Sequence, residues 1–354
     1  MGHQTLFLTR ESKYLHIRSI VQRIAFRLYI LVREIMMGAN AYFPNKRERN
    51  TIRKNTDVFV EKYLNHSPYL RNTSELRKYT LKKQFDAYIV GSDQVWRPDY
   101  SPYIPNYFLD FAVGQNAIKL AYAASFGVSD WCFTDSQTRE CSELIKQFKA
   151  VSVRENTAIL LCKEFLGISA QLVLDPTLLL DKDDYIQLVN EAEEEHKNGN
   201  LFCYVLDESL KISTVVSHIA EQTGLIPFTT MPKRGISNRI NAKFHLNDCV
   251  FPRVTEWIRS FMDAEMVVTD SFHGCIFSIL FNKPFWVVGN KDRGLARFES
   301  LLALYKLESR YISEDTMKIP NINETIDWEY VNRRTRELRI ESLGFLKKYL
   351  SPEI

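Results

Sequence analysis

The sequence has no apolar run of about 18 residues, the length a membrane-spanning helix needs, and it does not open with a charged, apolar and small-residue leader. A cytoplasmic protein is therefore expected. The six cysteines, at 132, 141, 162, 203, 249 and 275, form no C-x-x-C pair. That spacing suggests neither a zinc site nor a redox motif, and the thiols read as reduced. A G-x-G-x-x-G fingerprint, a P-loop and a nucleophile elbow are all missing, which argues against hydride transfer, ATP hydrolysis and serine esterase chemistry. No metal-ligand cluster, internal repeat or low-complexity tract is present, and the aromatics interleaved with basic residues form no RNA or DNA motif.

What remains is a globular chain of 354 residues, 45% hydrophobic and 12% aromatic, long enough for two domains. Its formal charge of +3 is unevenly spread: residues 1–82 hold 16 Lys and Arg against 6 Asp and Glu, and the remainder is net acidic. The N-terminal region is thus expected to meet something anionic. Between His16 and Gly38, Ile20, Val21, Ile24, Leu28, Leu31, Val32 and Ile35 keep helical spacing, with Arg18, Arg23, Arg27 and Arg33 elsewhere. This basic amphipathic helix can lie peripherally on the anionic inner face of a membrane or bury its stripe against its own domain. Residues 44–56 read as an exposed connector or a solvated helix.

From residue 85 short apolar runs alternate with amphipathic segments. Strands are expected at Ala87–Val90, Lys119–Ala123, Ala150–Val153, Gln171–Leu174, Leu201–Leu206, Ile226–Thr230, Met266–Thr269 and Phe285–Val288. Helices are expected at Ser136–Lys149, Asn156–Leu166, Asp183–Glu195, Leu210–Thr223, Arg253–Met262, His273–Phe281 and Ala296–Leu304. Such alternation implies an α/β protein with parallel sheets wrapped by helices. The charged stretch Asp181–Asn200 suits the passage between two Rossmann-like domains, 1–180 and 181–354, with ligands in the cleft between them.

Four strand ends carry polar chemistry. Met266-Val-Val-Thr-Asp-Ser-Phe-His-Gly274 runs from a strand into a helix, and the free N–H groups of such a turn make an anion site. His273 would add acid/base chemistry there; a helix cap with a packed histidine is the alternative. Ile89-Val-Gly-Ser-Asp-Gln-Val-Trp96 mixes hydrogen-bonding groups with an aromatic, which suits a sugar: Asp93 could hold or deprotonate a hydroxyl while Trp96 stacks on a pyranose. A capped turn with a core tryptophan reads equally well. Ala121-Tyr-Ala-Ala-Ser-Phe-Gly127 brings Ser125 to a strand end, and Val151-Ser-Val-Arg-Glu155 projects Arg154, which needs either a carboxylate or a bound anion beside it. Arg293 and Arg297 lie in and just after a loop suited to closing over a substrate.

In order and spacing, Val90-Gly-Ser-Asp-Gln-Val-Trp96, Tyr122-Ala-Ala-Ser-Phe-Gly127, Ser152-Val-Arg-Glu155, Leu174-Asp-Pro-Thr177 and Val268-Thr-Asp-Ser-Phe-His-Gly274 resemble the polysaccharide pyruvyl transferase family. The resemblance spans roughly residues 80 to 350, including a C-terminal helix around Leu338–Leu350. It implies two Rossmann-like domains facing across a cleft, similar to GT-B glycosyltransferases, with an N-terminal acceptor side that looks truncated and a C-terminal donor side. It also implies phosphoenolpyruvate as co-substrate, no cofactor or metal, and a sugar diol of a surface polysaccharide or its lipid-linked precursor as acceptor. The family's catalytic histidine falls on His273 and a donor-binding arginine on Arg154. Many relatives carry Arg-Leu where this chain has Ser271-Phe272. Donor contacts are accordingly expected from Arg154, Ser271, Phe272, Gly274, Arg293 and Arg297, and acceptor contacts from Gly91, Ser92, Asp93, Trp96 and Ser125, with Asp93 assisting His273. A nucleotide-sugar glycosyltransferase and a non-catalytic assembly component are the rival readings.

Overall fold

A computed structural model describes residues 2–10, 46–233, 245–289, 294–313, 321–322 and 324–351. The basic stretch 16–38 and Arg293 lie outside them. The described chain runs α1 (Lys46–Tyr63), α2 (Thr73–Lys83), β1 (Ala87–Val90), β2 (Ile118–Ala124), α3 (Asp135–Ile145), β3 (Ala150–Val153), α4 (Asn156–Phe165) and β4 (Gln171–Leu172). It continues with α5 (Lys182–Glu191), β5 (Leu201–Tyr204), α6 (Leu210–Thr223), β6 (Pro227–Phe228), α7 (Val254–Asp263), β7 (Met266–Thr269), α8 (Phe272–Leu280), β8 (Phe285–Val288), α9 (Ala296–Tyr305), β9 (Tyr311–Ile312) and α10 (Trp328–Leu350).

Two sheets result, ordered β1-β2-β3-β4 and β6-β5-β7-β8-β9, and every pairing is parallel. This is the α/β architecture expected from the alternation. Strands β7 and β8 are buried at all four positions, as parallel strands covered on both faces must be, which is why they read as unbroken apolar runs. One core forms around Val90, Trp96, Phe108 and Val153 of the first sheet. The second sheet has a core on each face, around Phe202, Phe261 and Phe285 and around Leu201, Val268 and Trp286.

The structure adds detail to the expectations in three places. The strands at 171, 201 and 226 are shorter than expected, and β9 follows a run too brief to show as a period. From Lys46 on, the segment expected as a connector or solvated helix is part of α1, largely accessible but anchored at one point: it buries Ile52, the Phe251 N–H donates to the Ile52 carbonyl, and Asn55 Nδ2 donates to the Phe251 carbonyl. The two sheets draw their strands from 87–172 and from 201–312, and two helices reach beyond the sheet nearer to them in sequence. While α1 seats on the second half, α10 begins ten residues before the expected Leu338, packs Val331 and Leu338 into the second core, and then reaches the first. There Ser342 Oγ accepts from the Leu174 N–H at 3.0 Å and Phe345 packs on Tyr122. Among the described residues no helix is long and apolar enough to cross a membrane.

Candidate active site

The turn between β7 and α8 is held from below by Thr269. Its hydroxyl donates to the Tyr204 carbonyl at 2.7 Å and accepts from the Ser271 N–H at 3.0 Å. A Cβ on Gly274 would stand 2.2 Å from that hydroxyl, so a glycine is what lets α8 start so close to β7. Asp270, buried, accepts from the N–H groups of Leu206 and Asp207, each at 2.8 Å, and ties the turn to the loop after β5. Strand order reverses between β5 and β7, the place where open α/β sheets bind ligands. From it His273 emerges in the first turn of α8 with its side chain 38% exposed, while Ser271 and Phe272 are buried.

The first sheet delivers the opposing groups. Gly91, at φ +137°, lets the chain leave β1 so close to β2 that a Cβ would stand 1.9 Å from the Tyr122 carbonyl oxygen. The register of β2 against β3 slips between Ala121 and Ala124, where Ser152 Oγ donates to the Ala121 carbonyl and accepts from the Ala123 N–H. Beyond that bulge the Ser125 hydroxyl and the Phe126 and Gly127 N–H groups all point at Glu155 Oε1, at 2.8, 2.9 and 3.2 Å. Arg154, its side chain 1% exposed, donates from Nη1 to Asp175 Oδ2 at 2.7 Å and from Nη2 to Asp93 Oδ1 at 3.0 Å, with Nε 3.9 Å from Glu155 Oε2. Asp175 is fixed in turn: Oδ1 accepts from the Thr177 N–H and Oδ2 from Ser92 Oγ.

The two halves meet on Phe272. The Arg154 guanidinium lies 4.6 Å and that of Arg297 5.6 Å from its ring centre, contacts that favour two buried cations on one quadrupole. Gly294, at φ +83°, approaches until a Cβ would stand 1.9 Å from the Gly127 carbonyl oxygen, and Ser300 Oγ of α9 accepts from the Asn156 N–H at the start of α4. His273 Nε2 is 3.9 Å from Asp175 Oδ2. A histidine, two arginines and three carboxylates are thereby gathered from both sheets.

Their charges are mutually set. Burial pushes His273 below the usual imidazole value, and Asp175 resists that fall while Arg154 adds to it. The imidazole is therefore neutral at physiological pH, able to take a proton and, once charged, to return it. Burial alone would raise Asp175, yet the Arg154 charge holds it, and the exposed Asp93 with it, below the ordinary carboxylate range. For Glu155, fully enclosed, burial wins over Arg154 and the Ser125 hydroxyl and its pKa is raised. Burial and the like charge of Arg154 bring Arg297 down to about 10, still a cation at neutral pH.

Two expected acceptor contacts are overturned. Trp96 is 0% exposed: its ring stacks on Phe108 at 5.2 Å, packs on Phe126 at 5.3 Å, and its Nε1 donates to the Tyr107 carbonyl. It is a core tryptophan with no face left for a sugar. Ser125 is equally enclosed and spends its hydroxyl on Glu155, so it orients that carboxylate instead of touching a ligand. Ser92 reaches Asp175, and Gly91 and Asp93 are the exposed residues of that turn, Asp93 with its side chain 71% exposed. Sequence reasoning missed Asp175 as a site residue. The signal was present in Leu174-Asp-Pro-Thr177, an acid and a proline ending an apolar run, but nothing local says that the acid meets Arg154 and His273.

The family model described as polysaccharide pyruvyl transferase matches residues 35–292. A comparison with curated protein sequences finds no match. Among solved structures, a glycosyltransferase from Rickettsia africae ESF-5 is similar at 12% identity and a TM-score of 0.46, over 86% of this chain and 95% of that one. Phytolacca americana UGT2 complexed with UDP-2fluoro-glucose and pterostilbene is similar at 10% identity and a TM-score of 0.47, over 97% of this chain and 98% of that one.

Proposed function

This chain belongs to the polysaccharide pyruvyl transferase family, and on that premise we propose that it moves the pyruvyl group of phosphoenolpyruvate onto two hydroxyls of a sugar in a surface polysaccharide or its lipid-linked precursor. The methylene carbon of the donor takes a proton and the adjacent carbon accepts the first hydroxyl. Phosphate leaves with the donor's bridging oxygen, and the second hydroxyl closes the ketal at the oxocarbenium-like carbon. Of the two protons released by the hydroxyls, one ends on the new methyl group and the other on phosphate.

In this reading His273 carries protons between hydroxyl and methylene, its neutral form at rest being the form that can accept one. Arg154, Arg297 and the first-turn N–H groups at Phe272–Gly274, which lack intrahelical partners, hold the carboxylate and phosphate of the donor. Arg297 stands in for the arginine that Ser271 replaces. Asp93, the exposed carboxylate of the group, receives the acceptor hydroxyl.

The observation that carries the reading is the meeting of one accessible, neutral histidine with two arginines across the Phe272 ring, since a trianionic donor needs cations and the reaction needs a proton carrier. Saturation-transfer NMR with phosphoenolpyruvate and, separately, UDP-sugars tests it. Signal from phosphoenolpyruvate alone supports pyruvyl transfer, whereas signal from UDP-sugars alone would turn the reading to glycosyl transfer.

A further inference from the structure

Among its carboxylate partners, Arg154 has two that are locked and one that is loose. The side chain of Asp175 is 2% exposed and that of Glu155 0%, whereas that of Asp93 is 71% exposed. The Phe272 ring covers the guanidinium at 4.6 Å. Asp175 is further pinned by Thr177 and Ser92, and Glu155 by Ser125, Phe126 and Gly127. Of these partners, then, only Asp93 sits on a side of Arg154 that faces solvent. An anion reaching this arginine takes the place of Asp93, because displacing either of the others would strand a buried carboxylate.

The backbone at Asp93 fits an exchangeable contact. Its φ is +27°, on the left-handed side that a non-glycine residue adopts at some energetic cost. What holds the carboxylate in place is the charge-assisted bond to Arg154 Nη2 together with a bond accepted from the Gln94 backbone N–H of its own turn, and neither is sealed from solvent by the exposed side chain.

We propose that Asp93 is an internal anion that keeps Arg154 Nη2 occupied until the donor displaces it, so that donor arrival itself frees the carboxylate that meets the acceptor hydroxyl. The inference rests on the pyruvyl-transfer reading and deepens it. Paired with Arg154, Asp93 is a weak base; parted from it, and beside a newly bound anion, it holds a proton more firmly. The base is thus strengthened at the step that uses it, and no acceptor oxygen is activated before a donor is present. The exchange costs no hydrogen bond, since a donor oxygen accepts from Nη2 as Asp93 did.

Isothermal calorimetry on the full chain tests this, with phosphoenolpyruvate and inorganic phosphate as separate titrants. Asp93→Asn removes the competing anion with an isosteric, exposed side chain and is expected to bind phosphoenolpyruvate at least about five-fold more tightly than the wild type. Asp99→Asn, which removes an exposed acid of the same loop that is not among the ion-pair partners of Arg154, is expected to change affinity less than about two-fold. Asp93→Ser is titrated alongside, and melting temperatures establish that each variant is folded. Donor affinity that is unchanged or weaker in both Asp93 variants overturns the exchange while leaving pyruvyl transfer standing. Equal tightening in Asp99→Asn reduces the effect to long-range charge and also overturns it. Failure of both titrants to bind any form removes the donor reading itself, and the inference with it.

Discussion

Nε2 of His273 and Oδ2 of Asp175 stand 3.9 Å apart, near enough for charge coupling and too far for a direct hydrogen bond. The same oxygen is already bonded by Arg154 at 2.7 Å. Asp175 therefore serves two neighbours from opposite sheets, and the charge on each depends on the other.

From this follows a pH dependence. The folded site lowers the imidazole pKa beneath 6.5, so the acid limb of kcat/KM should fall below pH 6.5. Asp175→Asn removes the group that resists the lowering and should move the limb lower still. Stability follows the same sign: as pH drops through 6.5 the unfolded chain takes the proton first, and stability is lost until the lower folded value is reached. A limb at or above 6.5 in the wild type would contradict the assignment.

His273→Ala is expected to fold with a near-normal melting temperature and to lose about 10²–10⁴-fold in turnover, the usual contribution of a proton-transfer group. Its side chain is 38% exposed, so little packing is lost. Retention of more than half the wild-type rate in purified protein would refute a catalytic role.

Arg154→Lys keeps the charge but cannot reproduce two divergent donors. Donor affinity should weaken by about 1–3 kcal/mol, the range for hydrogen bonds to charged groups, as read by calorimetry. Asp175→Asn, which leaves the buried guanidinium short of a counter-charge, should cost on the order of 3–5 kcal/mol of stability in urea. An unchanged midpoint would show that the pair is not structural.

At the turn, Gly274→Ala should destabilise the fold by about 1–3 kcal/mol, the cost of overpacking, because its Cβ meets Thr269 Oγ1 at 2.2 Å. Pairing it with Thr269→Ala opens the space and should return part of the loss. No recovery in the double variant would mean that the strain lies elsewhere.

Trp96→Phe separates packing from recognition. A core tryptophan at 0% exposure predicts a lowered melting temperature with kcat/KM within about two-fold per folded molecule, whereas a sugar platform would lose acceptor affinity first. Trp96→Ala should cost on the order of 3–5 kcal/mol.

Much of the fold was legible locally. The apolar runs Met266–Thr269 and Phe285–Val288 announced strands buried on both faces, and each became one with the same bounds. Thr269, Asp270 and Gly274 mark a strand-to-helix turn in any context, because cap and glycine chemistry act within a few residues. The partners of Arg154 were not legible in this way. Asp93 lies 61 residues before it and Asp175 21 after, and only the parallel order β1-β2-β3-β4 brings their strand ends together. The same limit explains Trp96: Gly-Ser-Asp-Gln-Val-Trp reads equally as a sugar platform or a core anchor, and the choice was made by Phe108 and Phe126 closing over the ring. Sequence by itself determined most of the strands and helices from residue 85 onward, though neither α2 nor β9, since those elements depend on side-chain period and backbone freedom. Which charges face one another, and which aromatics are left for a ligand, was decided by tertiary packing, because burial and ion pairing belong to residues that are neighbours only after the sheets have formed.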